Sequence, residues 1–271
     1  MRCGATSAHW VRCTSQLLLR SSVHRRTPRS RSAHRQSTRR PTRTPPISLQ
    51  GGSSTVTTTL SEAQSKLFLE PFGLPFLPER LVNTPQQAVE AAEAVGFPVV
   101  AKLCGDAIAH KTERGLVKLG LRTSTDVMRA AEELLAAATP EDGTVQVLVA
   151  PMVSASRELI AGAVRDPQFG PTVLLGVGGI LAEAISDVVV RLAPLTVVDA
   201  HEMIESLASQ TLIGEFRGEP EVNRAALCAV LVGLSEAITS TESIASIDLN
   251  PLMIVDGMPI AVDALVERTQ R

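Results

Sequence analysis

From Leu60 onward the chain alternates between helix-like and strand-like spacing of apolar residues, punctuated by Gly and Pro. Ser61 is placed to cap a helix running to Phe72, with Gly73 and Pro75 as its stop. Asn83-Thr84-Pro85 opens a second helix, with Ala88, Val89, Ala92 and Val95 on one face and Gly96 and Pro98 beyond its end. It leads into a buried strand, Val99 to Leu103, and Gly115 to Leu119 reads as the strand that returns. Ser124 or Thr125 would cap a third helix carrying Val127, Ala130, Ala131, Leu134 and Leu135, and Thr144 to Val149 forms another apolar strand. Pro151-Met152-Val153 then breaks the pattern. Strands follow at Glu158 to Val164, Thr172 to Val177 and Val188 to Leu192, with helices at Val198 to Leu207 and Val222 to Ile238. Strand-like runs at Ser246 to Leu249, Leu252 to Val255 and Ile260 to Val262 close the chain. The expectation is an α/β or α+β protein of two lobes, one on either side of the break, with a cleft between them.

Charge divides the 271 residues differently. The first 61 contain eleven arginines and no carboxylate, whereas the rest holds 15 basic and 28 acidic residues, so a net charge of −2 conceals a basic tail. That tail is rich in Arg, Ser, Thr and Pro, cannot offset its ordering entropy by burial, and is expected to be disordered. It has the look of an organelle transit peptide, although a stretch read from upstream of a start near Val56, or a passive extension, is the favoured reading. Nucleic-acid binding is disfavoured by the lack of aromatics beyond Trp10 on which bases could stack. The remaining residues, about 210, suffice to bury roughly 70% of the unfolded chain's surface. No apolar run approaches the roughly 20 residues that span a bilayer, so a membrane protein is not expected. Cys3, Cys13, Cys104 and Cys228 show neither disulfide nor metal spacing, which favours a reducing compartment.

Three of the four lysines, Lys102, Lys111 and Lys118, fall between Val99 and Leu119, while most other positive charge is on arginine. A lysine head is a compact point charge suited to following a phosphate that moves. Between the two strands of this segment His110 and Lys111 sit on a polar loop, where His110 can contact a phosphate or carry one covalently. The run Gly176-Val177-Gly178-Gly179 follows a strand and allows close backbone approach to a ligand, although in isolation it reads better as a tight strand-to-helix turn. A two-residue turn at Asp256-Gly257 pairs 255 with 258, and the same register brings Asn250 opposite Asp263, with Asp248 on the same strand side. Such hard oxygen donors suit Mg²⁺, provided that Pro251 and Pro259 introduce no one-residue slip. His201, beside Asp199, Glu202 and Glu205, reads as part of a solvated helix face.

In order along the chain, the segments SEAQSKLFLEPFGLP, FPVVAK, HKTERGLVKL, RELIAGAVRDPQFGP, GVGGILAE, VVVRLAPLT, FRGEP and IDLNPL with VDAL resemble the ATP-grasp (β) subunit of ADP-forming acyl-CoA synthetases, relatives of succinyl-CoA synthetase. The resemblance covers about Leu60 to Glu267 and implies an α+β ATP-grasp fold, two α/β lobes with the nucleotide in the cleft. In these terms residues 1–57 form the extension and 58–267 the ATP-grasp domain. Its smaller lobe spans about 81–150 and its larger lobe about 151–267 with the 58–80 helix, leaving 268–271 as a tail.

The family implies a phosphohistidine at His110, with Asp248 as the carboxylate that orients or stabilises it. It implies nucleotide contacts from Lys102, Lys111, Gly115, Glu158, Gly178, Gly179 and Arg191, and adenine held by the backbone of Val149, Ala150, Pro151 and Met152. It implies Mg²⁺ on Asn250 and Asp263, with ATP or ADP as the exchanged nucleotide. The partners implied are a separate CoA-binding (α) subunit in a hetero-oligomer and, through it, CoA and a small carboxylic acid. The compartment is then cytoplasmic, or an organelle if the tail is a transit peptide. Relatives commonly read His-Lys-Ser-Asp-x-Gly-Gly, whereas this chain has Thr112, Glu113, Arg114, Gly115 and Leu116 after Lys111, and Leu116 is expected to restrict the loop's approach to phosphate. Two other classes stay open: an ATP-grasp ligase that forms an acyl phosphate without phosphohistidine, and a non-catalytic ATP-binding regulatory module.

Overall fold

The computed structural model describes residues 57–105, 108, 114–179 and 185–269. Among these, two antiparallel sheets each carry helices on one face and leave the other face toward the opposite lobe.

The smaller lobe has the strand order β2-β5-β3-β4, formed by Arg80–Val82, Val145–Pro151, Val99–Gly105 and Val117–Leu121. Its helices are α2 (Pro85–Val95) and α3 (Ser124–Ala136). Thr84 caps α2 by accepting from the Gln87 amide, Pro85 fills the first turn, and Gly96 follows the last, as the spacing implies. The cap of α3 is Thr123 rather than Ser124 or Thr125, because its hydroxyl accepts from the Asp126 amide. Both helices cover one sheet face, burying Val99, Ala101, Leu103, Val147 and Val149. Alternation then sends Val100, Lys102, Cys104, Leu148 and Ala150 to the other face. There the apolar members pack against Ala63 of α1 (Glu62–Leu69).

The larger lobe has the order β1-β11-β9-β6-β7-β8, with β10 also paired to β9. These strands are Thr57–Thr59, Leu265–Thr269, Ile244–Val255, Glu158–Asp166, Gly170–Val177, Val188–Leu192 and, for β10, Met258–Ala261. Helices α4 (Val197–Glu205) and α5 (Arg224–Ser240) bury Leu159, Ala161, Val173, Leu175, Val189, Ile247 and Leu249 beneath them. The edges correct the expected boundaries: Thr57 pairs with Thr269 and Thr58 with Arg268, so neither end of the domain is loose tail there. Three threonines and VERT lack an apolar alternation, and only the partner strand makes them sheet.

The two strand-like runs at 246–249 and 252–255 are one continuous strand, β9. Its register against β6 shifts between Leu159↔Leu252 and Ala161↔Leu249, which inserts one residue of β9 at Asn250-Pro251. This bulge reverses the parity, so that Ile247, Leu249, Leu252 and Ile254 are all buried. Opposite it, β10 keeps the hairpin register that the Asp256-Gly257 turn dictates, from Met258↔Val255 to Ala261↔Leu252.

Gly162 sits on β6 directly opposite Asp248, and a Cβ there would lie 2.7 Å from the Ile247 carbonyl oxygen. Only glycine lets β6 and β9 approach this closely. Gly162→Ala is expected to cost about 1–3 kcal/mol through overpacking, a fall in Tm of roughly 2–12 °C measured by calorimetry.

Candidate nucleotide site

The uncovered faces of the two sheets meet around α1. Ser61 caps this helix, Leu69 anchors it in the large-lobe core, and the Ser65 hydroxyl accepts from the Val266 amide at 3.1 Å. Its first residue, Glu62, thereby points at the small lobe and is only 2% exposed.

Lys102, 9% exposed on β3, donates to Glu62 Oε1 at 2.6 Å and to the Val262 carbonyl at 3.1 Å. Burial alone would lower the lysine's pKa, but Asp263, Glu62 and Glu79 together raise it, so the ammonium stays charged. Lys66 completes the cluster: it donates to the same Glu62 oxygen at 2.9 Å, to Glu79 at 2.6 Å and to Val262 O at 3.4 Å. A strand lysine of one lobe is thus held against the carbonyl that precedes Asp263 in the other.

Asp263 lies at the turn between β10 and β11, half-buried, with its Oδ1 accepting from the Ala264 amide. Asp248 stands on the β9 face away from the helices, between Gly162 and Leu265. Removal from water, then the charges of Asp263 and Glu267, push its carboxyl up to about 7. The side chain keeps partial contact with solvent. Asn250 projects at the bulge and is exposed. Beyond the hairpin's last pair the Val262 amide donates to Pro251 O at 3.3 Å, which keeps the Asn250 and Asp263 segments adjacent. Among the described residues no three His, Cys, Asp or Glu side chains form a metal cage. One or two carboxylates, an amide oxygen and open space are the donor set of a Mg²⁺ that keeps waters and phosphate oxygens, so these residues fit that ion.

At the other end of β6, the Glu158 carbonyl accepts from the Gly178 amide at 2.8 Å. Gly178 has Leu159 backbone 3.0 Å from where a Cβ would be, and Gly179 adopts φ +81° within reach of the Glu158 carboxylate. These three residues form one corner of the cleft. On β5, Val149 faces the small-lobe core, and beyond the strand the Met152 N–H donates to Pro98 O at 2.9 Å.

Arg191 is a correction. It pairs with Val173 on β7, one step from Val189 opposite Leu175, and therefore lies on the helix-covered face beside Asp199, not with Asp248. Strand alternation places Arg191 with Val189, but only the neighbouring strand decides which face that is.

His110 and Lys111 lie outside the described residues. The loop's C-terminal stem is described. Gly115 takes φ +69°, and Leu116, 1% exposed, is packed in the small-lobe core with its carbonyl accepting from the Leu103 amide. The leucine that replaces a family glycine thus points away from the cleft, and the expected obstruction to phosphate does not arise from its side chain.

Arg114 makes a bidentate pair with Asp142 at 2.5 and 2.8 Å, and Asp142 also accepts from Thr139. These contacts, the Arg114 hydrogen bond first, hold the Asp142 carboxyl well below its ordinary 3.8. A depressed carboxylate contributes stability above its unfolded pKa and loses it as pH falls. The Tm difference between wild type and Arg114→Met is therefore expected to narrow when thermal unfolding is followed from pH 7 down to pH 3.

Glu62 and Lys66 were not visible as site residues in the sequence, because an i,i+4 Glu–Lys pair of this kind is locally no different from a solvated one.

Among the described residues a buried lysine of one sheet is held against acidic oxygens of the other, a charge arrangement suited to the phosphates of a nucleotide. The chain belongs to the ATP-grasp family, whose domain profile matches residues 53–267. It is 34% identical over 208 residues to the β subunit of acetate–CoA ligase (ADP-forming) I of Pyrococcus furiosus, spanning 76% of this chain and 90% of that one. It is 33% identical over 200 residues to the 4-hydroxybutyrate–CoA ligase (ADP-forming) of Nitrosopumilus maritimus, but covers only 29% of that longer chain. Among solved structures, dinucleotide forming acetyl-coenzyme A synthetase 1 of Ca. Korarchaeum cryptofilum, in complex with coenzyme A, Ca-AMPCP and HgCl⁺, superposes with a TM-score of 0.72 at 33% identity, covering 79% of this chain and 94% of that one. A second structure of that enzyme, with coenzyme A and Mg-AMPPCP, has its phosphohistidine segment pointing towards the nucleotide site and gives a TM-score of 0.68 at 34% identity, covering 79% and 93%.

Proposed function

We propose that this chain is the nucleotide-handling β subunit of an ADP-forming acyl-CoA synthetase, working with a separate CoA-binding α subunit. The observation that carries this reading is that Lys102 of the small lobe lies 3.1 Å from Val262 O of the large lobe and within reach of the charge of Asp263, which also acts on Asp248. The overall reaction converts acyl-CoA, ADP and phosphate into the free acid, CoA and ATP, and runs in either direction. His110 carries the phosphoryl group between the partner's site and the cleft.

In the cleft Lys102 neutralises charge on the phosphates, and the amides around Gly178 and Gly179 line the corner next to Glu158. Asn250 and Asp263 hold Mg²⁺, which supplies charge neutralisation on the transferring group when bound. Asp248 is the carboxylate available to a phosphohistidine entering from the small-lobe loop. Adenine is held against the strand exit after Val149, through Ala150 and Pro151. The acid and CoA bind mainly to the α subunit, and the assembled enzyme works in the cytoplasm. Among the described residues no helix is long and apolar enough to cross a membrane.

The test is calorimetric titration of the full chain with ADP or ATP, with and without Mg²⁺. Tight binding is expected only with the ion, and Asp263→Ala is expected to weaken it about tenfold or more through the lost charge-assisted contact. Equal affinity with and without Mg²⁺, or in Asp263→Ala, would overturn the assignment of the metal residues.

A further inference from the structure

We propose that Glu62 is a positioning residue for nucleotide binding: from the first turn of α1 it fixes the Lys102 ammonium and ties it to the Val262–Asp263 turn. The inference rests on the reading of Lys102 as the phosphate-binding lysine.

One carboxylate oxygen, Glu62 Oε1, accepts from both Lys102 at 2.6 Å and Lys66 at 2.9 Å. The same two ammonium groups share the Val262 carbonyl. Were the cluster needed only to seat α1, the Lys66–Glu79 contact at 2.6 Å, the Ser65–Val266 bond and the burial of Leu69 would already do so. The additional contact from Glu62 crosses to the small lobe. There it selects one orientation of a side chain that otherwise has four rotatable bonds, as helix glutamates do for strand lysines in protein kinases.

Lys66 has a distinct part in this. When phosphate draws Lys102 forward, Glu62 keeps Lys66 as its counter-ion, so no buried carboxylate is stranded. The pairing therefore holds the lysine in place without preventing its use.

The test uses the full chain and measures Mg-ADP affinity by calorimetry together with Tm for four variants. Glu62→Gln is expected to raise Kd about tenfold, the scale of one lost orienting interaction. Lys102→Met is expected to raise it further, and Glu62→Gln added to Lys102→Met is expected to change nothing more, because its effect passes through that lysine. Ser65→Ala loosens the same helix without touching Lys102, and should lower Tm while leaving Kd at the wild-type value. If Lys102→Met binds Mg-ADP as wild type does, the phosphate reading of Lys102 fails and the inference with it. If Lys102→Met is weakened while Glu62→Gln binds normally, or if the two effects add, or if Ser65→Ala weakens binding as much, only the positioning role fails. Should Glu62→Gln not fold, Glu62→Asp keeps the charge and withdraws it by one methylene. A raised Kd in that variant supports the proposal, and wild-type affinity overturns it.

Discussion

Replacing Lys102 with methionine is expected to weaken Mg-nucleotide binding by about 10–150-fold, because charge-assisted hydrogen bonds to phosphate contribute roughly 1.5–3 kcal/mol and, among the described residues, no neighbouring cation is placed to substitute. Lys66 is the nearest candidate, but it is engaged by Glu62, Glu79 and Val262 O on the α1 side. The fold should survive the change. Removing one partner of a buried pair costs about 3–5 kcal/mol when it strands a charge, but here Glu62 retains Lys66 at 2.9 Å. A modest fall in Tm with a large loss of affinity, read by calorimetry on the same preparation, is the expected pattern. A large fall in Tm with unchanged affinity would mark Lys102 as a structural group.

Asp248→Asn is expected to stabilise the protein while removing its phosphoryl-transfer activity. In metal-free protein the Asp248 carboxyl, pushed up to about 7 by burial and then by Asp263 and Glu267, binds its proton more tightly when folded than when unfolded. Stability is therefore drained as pH rises from about 4 through about 7, and an amide of the same shape escapes that loss. Discounted for its partial solvent contact, the gain should be about 1–2 kcal/mol at pH 8, a rise of roughly 2–8 °C in Tm, and should vanish near pH 4. With chelator present, calorimetry at the two pH values checks this. Phosphohistidine formation should fall at least about 100-fold, the scale of a lost carboxylate partner to a catalytic histidine. A variant less stable than wild type at pH 8 would show that Asp248 is held by contacts that favour its ionised form.

The elements most legible in the sequence are those whose signals are local. Thr84-Pro85 and Gly96 bound a helix by capping chemistry alone, and Asp256-Gly257 sets the β10 register because a two-residue turn admits few geometries. The Lys102 strand was legible because seven successive residues are buried, which gives a continuous apolar run interrupted by one lysine.

What could not be read is what a distant strand decides. The bulge at Asn250-Pro251 shows in the sequence only as a parity conflict between Ile247, Leu249 and Ile254, all of which had to face the core. Arg191 carried the right alternation, but its face depends on pairing with Val173 eighteen positions earlier. Glu62 is indistinguishable locally from a solvated first-turn acid, and its burial follows from the small lobe closing over α1 through Ala63. Leu116 looked like an obstruction because the sequence shows a missing glycine, not the core pocket that its side chain fills.

The central claim is that His110 accepts a phosphoryl group from nucleotide bound in this cleft. Incubation of the full chain with Mg²⁺ and γ-labelled ATP, followed by acid and base treatment of the denatured protein, tests it most directly. The account predicts label that is acid-labile and base-stable in wild type and absent in His110→Ala. No label in a wild-type protein that demonstrably binds ATP, or label that persists in His110→Ala, would contradict it.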